Sequence, residues 1–293
     1  MNMDFKSAKE LLALCAENAL PISEVMRRRE CLLGEVERDA VDRRMAKAWD
    51  IMRASATQPL ETPIKSMGGL IGGEAKTLQA HAAEGKGICG DVLQKAMTYA
   101  MAVLEVNASM GLIVAAPTAG SAGVVPGLLL ALQECYDLPD GRIVEALFNA
   151  GAVGYLAMRN ATVAGAVGGC QAEVGIASAM AASATVELLG GTPQQCLDAA
   201  STVLMNMLGL VCDPVGGLVE YPCQNRNAAG VANALVAAEM ALSGIRQLIP
   251  FDQMLDAMYA VGKRLPAELR ETALGGCAAT PAACAACGLC SGN

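Results

Sequence analysis

The apolar residues of this chain are small and aliphatic rather than aromatic, and this restricts the folds that the chain can adopt. Hydrophobic residues make up 54% of the 293 positions, yet aromatic residues make up only 3%, and 31 residues are glycine. Protein interiors are densely packed, so a core without large rings has to be filled by Ala, Val, Leu, Met and Gly. The composition therefore favours helices that pack closely, with small residues at their contacts.

The hydrophobic pattern predicts an all-α fold, because helices separated by short glycine-rich turns follow one another with little strand-like alternation. Asp91 and Gln94 form a capping-box-like start of one helix, and Thr192 with Gln195 forms another around a proline. The helices expected cover residues 7–18, 23–56, 74–84, 91–110, 126 onwards, 140–158, 192 onwards, 227–242, 252–263 and 266–274.

The sequence pattern predicts that the chain divides into two regions of unequal size. Residues 1–276 are expected to form one helical domain, in which residues 1–57 form a peripheral helical hairpin. Residues 277–293 form a cysteine-rich tail that includes Cys284, Cys287 and Cys290.

The charge balance argues against one class of partner. The net charge is −8, with 29 acidic and 21 basic residues, which disfavours binding to nucleic acid. The only basic run, Arg27 to Arg29, lies between Glu24 and Glu30. We expect this run to form a solvated helix face.

Two apolar stretches, residues 110–132 and 161–189, are long enough to resemble membrane spans. Prolines and glycines interrupt the first and glutamates the second, so both are interpreted as buried core helices rather than as spans. Residues 1–10 are polar and lack the apolar region of a secretory signal. We therefore expect a cytoplasmic protein with no membrane partner.

Twelve cysteines in a chain without a secretory signal indicate metal ligation or buried thiols rather than structural disulfides. Four of them fall in helical patterns and are interpreted as small core residues. These four are Cys15, Cys31, Cys135 and Cys196.

Three further cysteines, Cys170, Cys212 and Cys223, lie in turns rich in glycine and proline. Their long and unequal spacing does not match a zinc finger or a ferredoxin, so the fold would have to bring them together. Three thiolates can hold an iron-sulfur cluster while one iron stays open as a Lewis acid. The alternative is that the three are unconnected thiols in turns.

Other loops offer fewer chemical groups. The turn 116–123 carries Thr118 and Ser121 between glycines, so it is interpreted either as an anion-binding turn or as a helix N-cap with structural glycines. The glycine-rich loop 65–73 lacks the Gly-Lys-Ser/Thr ending of a nucleotide-binding loop. His81 is the single histidine of the chain. One interpretation is a structural or simply exposed side chain, and the other is a side chain that points into a cleft.

Seven motifs together resemble the alpha chain of bacterial iron-sulfur-dependent L-serine dehydratase. They occur in the same order as in that family, and the resemblance covers residues 5–281. The motifs are KSMGGL at 65–70, EGKG at 84–87, EVNASMG at 105–111, PTAGSAGVVPG at 117–127, GCQAEVG at 169–175, CDPVGGLVE at 212–220 and LPAELRET at 265–272.

The resemblance implies a compact helical catalytic domain whose glycine-rich loops surround a buried 4Fe-4S cluster. Cys170, Cys212 and Cys223 match the family's ligand motifs. The implied reaction converts L-serine to pyruvate and ammonia without pyridoxal phosphate, as a lyase of amino-acid degradation that supplies gluconeogenesis. The open iron would make the serine hydroxyl a better leaving group.

Further site residues are assigned under the same resemblance. One group is expected to bind the substrate, chiefly through its carboxylate, and a second group to act in proton transfer. The substrate-binding candidates are Thr118, Gly120, Ser121 and Asn160, and the catalytic candidates are His81 and Lys65.

The chain departs from the family in two places. Two-domain members carry a beta region with a Ser-His-Thr motif, which this chain lacks, so we expect a split enzyme with a beta-chain partner, assembled as a higher oligomer of alpha–beta pairs. Alone, the chain should be poorly active or inactive.

The second departure is the tail. Some members end in a cysteine that caps the open iron, and Cys290 is the nearest counterpart. The tail could instead bind a second metal, since its spacing is ferredoxin-like, or carry reactive thiols without fixed structure.

Two other functions stay open at this point. The same open iron could take sulfide from L-cysteine in a cysteine desulfidase. A non-enzymatic iron-sulfur carrier or redox sensor would account for the tail but not for the turn at 118–123.

Overall fold

The computed structural model describes residues 3–287, which fold into helices joined by short turns. In these residues no β-strand is formed, and one isolated bridge pairs Cys212 with Arg270. The helices are α1 Ala8–Asn18, α2 Ile22–Gly34, α3 Arg38–Glu61, α4 Glu74–Ala83, α5 Gly90–Ala108, α6 Val124–Cys135, α7 Asp140–Asn160, α8 Gly165–Gly168, α9 Ile176–Leu188, α10 Pro193–Asn206, α11 Cys223–Leu242, α12 Phe251–Gly262 and α13 Pro281–Cys287. The predicted all-α fold is confirmed.

Helix α9 is the centre of the core. All of its residues except Glu187 are buried, and they are mostly Ala and Ser with single Ile, Met, Val and Leu residues. Helices α6, α7, α10 and α11 pack around it. The segment that leads into α9 carries Cys170, so that cysteine is fixed to the most buried element of the fold.

Small residues allow the helices to approach one another, as the composition predicted. A Cβ added to Gly127 of α6 would lie 2.8 Å from the backbone nitrogen of Ala100 in α5. A Cβ added to Gly230 of α11 would lie 2.8 Å from the hydroxyl of Ser178 in α9. Neither contact leaves room for a larger side chain without a shift of one helix.

Residues 8–61 form the first three helices, α1 to α3. The helix predicted over 23–56 is interrupted where Glu35 adopts a left-handed conformation with φ of 49°, and α3 then extends to Glu61. Helix α2 packs on α7, and α3 packs on α5 and α7.

The basic run in α2 does not form the solvated face that was predicted. Arg27 and Arg29 are buried, because each has acidic partners and an aromatic ring beneath it. Arg27 pairs with Glu24 and Asp42, both at 2.9 Å, and its guanidinium lies 4.8 Å from the ring centre of Phe148.

Arg29 pairs with Asp4 at 2.9 Å, and its guanidinium lies 3.8 Å from the ring centre of Tyr155. Only Arg28 of the run is exposed, and it pairs with Glu24 at 2.8 Å. The prediction was wrong because a buried guanidinium is tolerated once carboxylates pair with it and a ring stacks on it.

Glu24 is the hub of this charged cluster. Burial alone would raise the pKa of Glu24, but hydrogen bonds from Arg38, Arg28 and Arg27 outweigh it and lower the pKa to about 2. The carboxylate therefore stabilises the fold in its ionised form.

The two predicted helix starts had different outcomes. At α10 the Thr192 side chain accepts from the Gln195 backbone at 3.3 Å, and the Gln195 side chain accepts from the Thr192 backbone at 2.9 Å. At α5 the helix begins at Gly90 instead, and the amide of Gln94 donates to the Leu78 carbonyl at 3.4 Å. A contact with α4 has replaced the capping box there.

The helix predicted over 266–274 is absent, and a single 3₁₀ turn, Ala267–Leu269, occupies this region. The backbone of this segment instead holds Cys212, whose N–H donates to Leu269 at 2.9 Å and whose carbonyl accepts from Glu271 at 2.6 Å. Glu271 has a φ of 65°, which stops the helix.

Of the four helical cysteines predicted to be core residues, Cys15 and Cys196 are buried and Cys31 packs partly against the core. Cys135 is exposed at the last position of α6, so the prediction was wrong for this residue.

Across residues 3–287, none of the helices combines the length and the apolar character that crossing a membrane would need.

Candidate active site

Three buried cysteines meet where different helices begin. Cys170 precedes a short π-helical turn, Gln171–Gly175, Cys212 lies in the loop after α10, and Cys223 is the first residue of α11. Burial raises the pKa of Cys212, and Glu173, Cys170 and Cys223 raise it further, as expected of groups in the same region of the fold. The fold therefore brings together residues that are far apart in sequence.

Buried amide side chains fix the cysteine segments. The Gln171 amide donates to the Gly168 and Met258 carbonyls at 2.8 and 3.1 Å, and its oxygen accepts from Gly209 at 2.8 Å. A π-helical turn within a helix often marks a functional site, because it redirects the backbone locally. Here it turns the chain between Cys170 and α9.

Arg226 supplies the positive charge beside the thiols. Its guanidinium donates to the Val211 carbonyl at 2.9 Å, pairs with Asp213 at 2.7 Å and lies against the Cys170 thiol. Asp213 is buried as well. The pair is thus positioned between two of the cysteine segments, where Arg226 can stabilise negative charge on sulfur.

Burial disfavours the ionised form of all three thiols. Burial raises the pKa of Cys170 to about 11 and that of Cys223 to about 12, and Arg226 opposes both shifts. Burial and then Glu173 also raise the pKa of Cys212. Because thiolates are the metal-binding form, metal binding at this site has to displace protons.

The arrangement does not suit a single metal ion. Within residues 3–287, no three His, Cys, Asp or Glu side chains converge as ligands of one ion. The thiolates of a cluster bind different irons, so they surround a volume instead of converging on a point.

Gly165 packs directly against Cys212 and Glu173, so no side chain fits at this position. A Cβ on Gly165 would lie 2.9 Å from the Cys212 sulfur and 2.5 Å from Glu173 Oε2. Three buried thiols beside a largely buried guanidinium are a donor set that fits a cluster with three cysteine ligands.

Glu173 connects the cysteines to the substrate turn that the sequence predicted. Its Oε1 accepts from the Thr118 hydroxyl at 2.9 Å, and its Oε2 accepts from the Cys212 thiol at 3.7 Å. Burial raises the pKa of Glu173, and the hydrogen bond from Thr118 opposes this shift. A partly accessible carboxylate therefore lies between the two halves of the site.

The turn at 117–121 packs directly against this carboxylate. Thr118 and Ser121 hydroxyls are 3.0 Å apart, and Ser121 is fully buried, so it shapes the turn from beneath. The Asn227 amide donates to the Gly120 carbonyl at 2.8 Å and to the Cys223 carbonyl at 2.9 Å. One buried side chain thus ties the turn to a cysteine.

The loop around Lys65 is held by another buried carboxylate. Glu220 accepts from the Ser66 hydroxyl at 2.7 Å and from the backbone N–H groups of Gly68 and Leu70 at 2.6 and 2.9 Å. Lys65 itself is exposed, near Gly69. The loop is therefore fixed to the segment that precedes Cys223.

Two predicted residues lie apart from the cysteines in the contacts of the described chain. His81 is exposed on α4, and the Asn160 side chain donates to the Lys6 carbonyl at 2.8 Å at the end of α7. The predicted capping residue Cys290 lies outside the described residues. The roles of all three stay predictions.

The start of the tail packs beside the site. The backbone N–H of Cys277 donates to Asp213 at 2.6 Å, so the tail is attached to the cysteine loop. In the described part of the tail, Cys284 and Cys287 direct their thiols to carbonyls of Ala278 and Cys284 at 3.8 and 3.6 Å.

Comparison with known sequences places this site in a family. The sequence profile described as "Serine dehydratase alpha chain" matches residues 17–290, nearly the whole chain. The chain belongs to this family.

Curated members of the family are similar along most of their length. The "Probable L-serine dehydratase, alpha chain" of Bacillus subtilis (strain 168) is 48% identical over 277 residues, covering 94% of this chain and 92% of that protein. The "L-serine dehydratase, alpha chain" of Peptoniphilus asaccharolyticus is 45% identical over 272 residues, covering 93% of each.

A longer family member matches over only part of its length. The "L-serine dehydratase" of Helicobacter pylori (strain ATCC 700392 / 26695) is 37% identical over 286 residues, covering 94% of this chain and 62% of that protein. Part of that longer protein thus has no counterpart in the matched region.

Sequence patterns alone assigned no specific role to three carboxylates that organise this candidate site: Glu173, Asp213 and Glu220. Each lies in a motif that carries the family resemblance, GCQAEVG or CDPVGGLVE. Their position next to Cys170, Cys212 and Cys223 was the available signal. The partner of each carboxylate, by contrast, comes from a distant segment.

Proposed function

We propose that this chain is the alpha chain of an L-serine dehydratase that converts L-serine to pyruvate and ammonia. Membership of the serine dehydratase alpha chain family supports this activity. The observation that carries the proposal is the meeting of three buried cysteines with the 117–121 turn, through Glu173.

The cofactor in this proposal is a 4Fe-4S cluster held by Cys170, Cys212 and Cys223. When bound, it supplies a Lewis acid that polarises the serine hydroxyl as a leaving group. Gly165 allows the backbone to pack against Cys212, and Arg226 would offset the negative charge of the thiolates.

The residues of the chain orient the substrate next to this centre. Thr118 and Gly120 lie beside Glu173 and are proposed to position the serine carboxylate, with Ser121 supporting the turn from below. Asn160 remains a proposed further contact.

Formation of the enamine product requires a base that removes the Cα proton. His81 and Lys65 are the proposed proton-transfer groups of this chain, and both are at its surface. A surface position is compatible with a site completed by a second chain.

A beta chain is therefore part of the proposal. The relatives from Bacillus and Peptoniphilus are named as alpha chains, and the Helicobacter protein extends beyond the matched region. We propose a cytoplasmic assembly of alpha–beta pairs, in which Cys290 caps the open iron when serine is absent.

Anaerobic reconstitution tests this function. The chain and its beta partner are loaded with iron and sulfide, the iron bound per alpha chain is measured, and serine is added while visible absorption and pyruvate are followed. We expect about four irons, a change of spectrum with serine, and pyruvate formation. A chain that binds no iron under these conditions would contradict the proposal.

A further inference from the structure

Glu105, in α5, is a fully buried carboxylate that the proposed chemistry does not use. Its Oε1 accepts from the backbone N–H of Ala75, in the first turn of α4, at 3.0 Å. The N-cap of α4 is Gly73, which has no side chain, so Glu105 supplies from another helix an acceptor that α4 lacks. The carboxylate therefore connects the start of α4 to α5.

A second carboxylate, Glu74, lies beside Glu105. Gln224 of α11 bonds to both, since its Nε2 donates to Glu105 Oε1 at 3.3 Å and to Glu74 Oε2 at 3.4 Å. The same nitrogen donates to the Met101 carbonyl at 3.3 Å. Helices α4, α5 and α11 therefore meet at these two carboxylates.

The second oxygen of Glu105 has no hydrogen-bond donor. Within residues 3–287, no group donates to Oε2, although the side chain is fully buried. A buried acceptor without a donor is costly, and an ionised carboxylate can only accept. Glu74 is close enough for a hydrogen bond between the two side chains, which forms only if one of them carries a proton. One proton would therefore satisfy the unpaired oxygen.

No basic side chain neutralises this pair of carboxylates. The ion pairs found in the described part of the chain include neither Glu74 nor Glu105. Lys76, two residues after Glu74, donates instead to the Glu61 carbonyl at 2.9 Å. A proton is thus the positive charge that the surroundings leave to the pair.

The groups packed against Glu105 favour its protonated form. Helix α4 contributes the charged Glu74, and α11 contributes the uncharged Gln224. Burial raises the pKa of Glu105, the N–H groups of Ala75 and Gly73 oppose this shift, and the charge of Glu74 adds to it. Two carboxylates that share a buried site resist ionising together.

We propose that Glu74 and Glu105 share one proton in the folded chain, and that this proton fastens the start of α4 to α5 and α11. Its release to water as the pH rises leaves two like charges side by side, which loosens the start of α4. Helix α4 carries His81, and α11 begins with Cys223. The pair thus makes the connection between two segments of the candidate site sensitive to pH. The inference does not depend on the proposed function.

Glu105→Gln tests the proton, because an amide has the shape of a protonated carboxyl group but does not ionise. Its NH₂ group can take the place of Oε2 and donate to Glu74, while its oxygen keeps the bond from Ala75. The full-length wild type and the variant are unfolded in urea at about pH 5 and about pH 8. Comparing the two proteins at each pH cancels the titration of the carboxylates that they share.

The sign of the effect follows from the raised pKa of Glu105. Such a group stabilises the fold fully below its unfolded pKa, near 4.5, and the stabilisation is lost as the pH rises through the folded pKa. The unfolding constant of the wild type, divided by that of Glu105→Gln, should therefore rise at least about fivefold from pH 5 to pH 8. Glu17→Gln, which changes an exposed glutamate, should keep the pH dependence of the wild type within about twofold.

Hydrogen exchange at the Ala75 amide gives the local measurement. Its protection, corrected for the intrinsic pH dependence of exchange, should fall from pH 5 to pH 8 in the wild type and stay constant in Glu105→Gln. The Gly68 amide, which Glu220 holds, is the internal reference and should not change in either protein.

Two results would overturn the inference. One is a ratio of unfolding constants that stays within about twofold between the two pH values, and the other is the same change of Ala75 protection in both proteins. If Glu105→Gln does not fold, Glu74→Gln decides. Its amide gives Oε2 a donor, so Glu105 no longer needs the proton, and the pH dependence of unfolding should fall. An unchanged pH dependence in Glu74→Gln overturns the inference.

Discussion

Replacing Glu220 with glutamine should release the loop around Lys65 from the cysteine region. The carboxylate is buried and accepts three hydrogen bonds, of 2.7 Å from Ser66, 2.6 Å from Gly68 and 2.9 Å from Leu70. Glutamine has the same shape, but one of its two positions is an NH₂ donor. In either orientation, that donor faces a backbone N–H group.

The size of the effect follows from these contacts. The variant loses one hydrogen bond to a charged acceptor, worth about 1.5–3 kcal/mol, and leaves a buried donor facing another donor. We therefore expect Glu220→Gln to lower the free energy of unfolding by about 2–4 kcal/mol. Glu10→Gln is the control, because Glu10 accepts a single exposed hydrogen bond from Lys6 at 2.6 Å, and its loss should cost about 0.5 kcal/mol or less.

Urea unfolding of the full chain measures the free energy of unfolding, and hydrogen exchange measures the protection of the Gly68 and Leu70 backbone amides. Both amides should exchange faster in Glu220→Gln, and their exchange rates should be unchanged in Glu10→Gln. The reasoning is refuted if Glu220→Gln changes the unfolding free energy by less than about 0.5 kcal/mol and leaves both amides protected.

Three other changes have defined outcomes. Gly165→Ala should sharply lower the iron bound per chain and should lower the free energy of unfolding by about 1–3 kcal/mol, because its Cβ meets the Cys212 sulfur. Gly141→Ala is the control and should change neither quantity, since Gly141 has open space around it. An iron assay and thermal unfolding measure the two effects, and equal iron in both variants would contradict the prediction. Cys212→Ser should bind less iron than the wild type, whereas Cys135→Ser, which changes an exposed cysteine, should bind the wild-type amount. An iron assay on both variants tests this, and a full complement of iron in Cys212→Ser would show that Cys212 is not a cluster ligand. Glu24 has a pKa lowered to about 2, so its stabilisation is complete above its unfolded pKa near 4.5 and is lost as the pH falls towards 2. Glu24→Gln should therefore lower stability by about 1–2 kcal/mol at pH 7, after allowance for screening by solvent, and by much less at pH 2; a constant difference in urea unfolding at the two pH values would contradict this.

Local patterns in the sequence were sufficient for much of the fold. The proline after Thr192 and the glutamine three residues later specify the start of α10, because both caps are made within four residues. The scarcity of aromatic residues anticipated close contacts such as that of Gly127 with α5. Features of this kind depend on neighbours in sequence or on composition, which a sequence displays directly.

Features that depend on distant partners were missed. Arg27 and Arg29 looked like a solvated face because their ring partners, Phe148 and Tyr155, come from α7. The segment 266–274 has a helical composition, yet its backbone is committed to Cys212.

The same limit applies to the candidate site. The motifs singled out Cys170, Cys212 and Cys223, whose role as cluster ligands stays a prediction, but not the contact of Glu173 with Thr118. Such a contact exists only after the π-helical turn that carries Glu173 has packed against the 117–121 turn.

The position of the cysteines at the edges of the core has a consequence for repair. Cys170 precedes the π-helical turn that leads into α9, and Cys223 begins α11; both helices are buried mainly through small side chains, above all Ala. Small metal-dependent domains unfold without their metal because they have no other core. This chain has a large one. Loss of the proposed cluster should therefore leave a folded scaffold with its three cysteines still in place, and the same molecule could be reloaded with iron and sulfide.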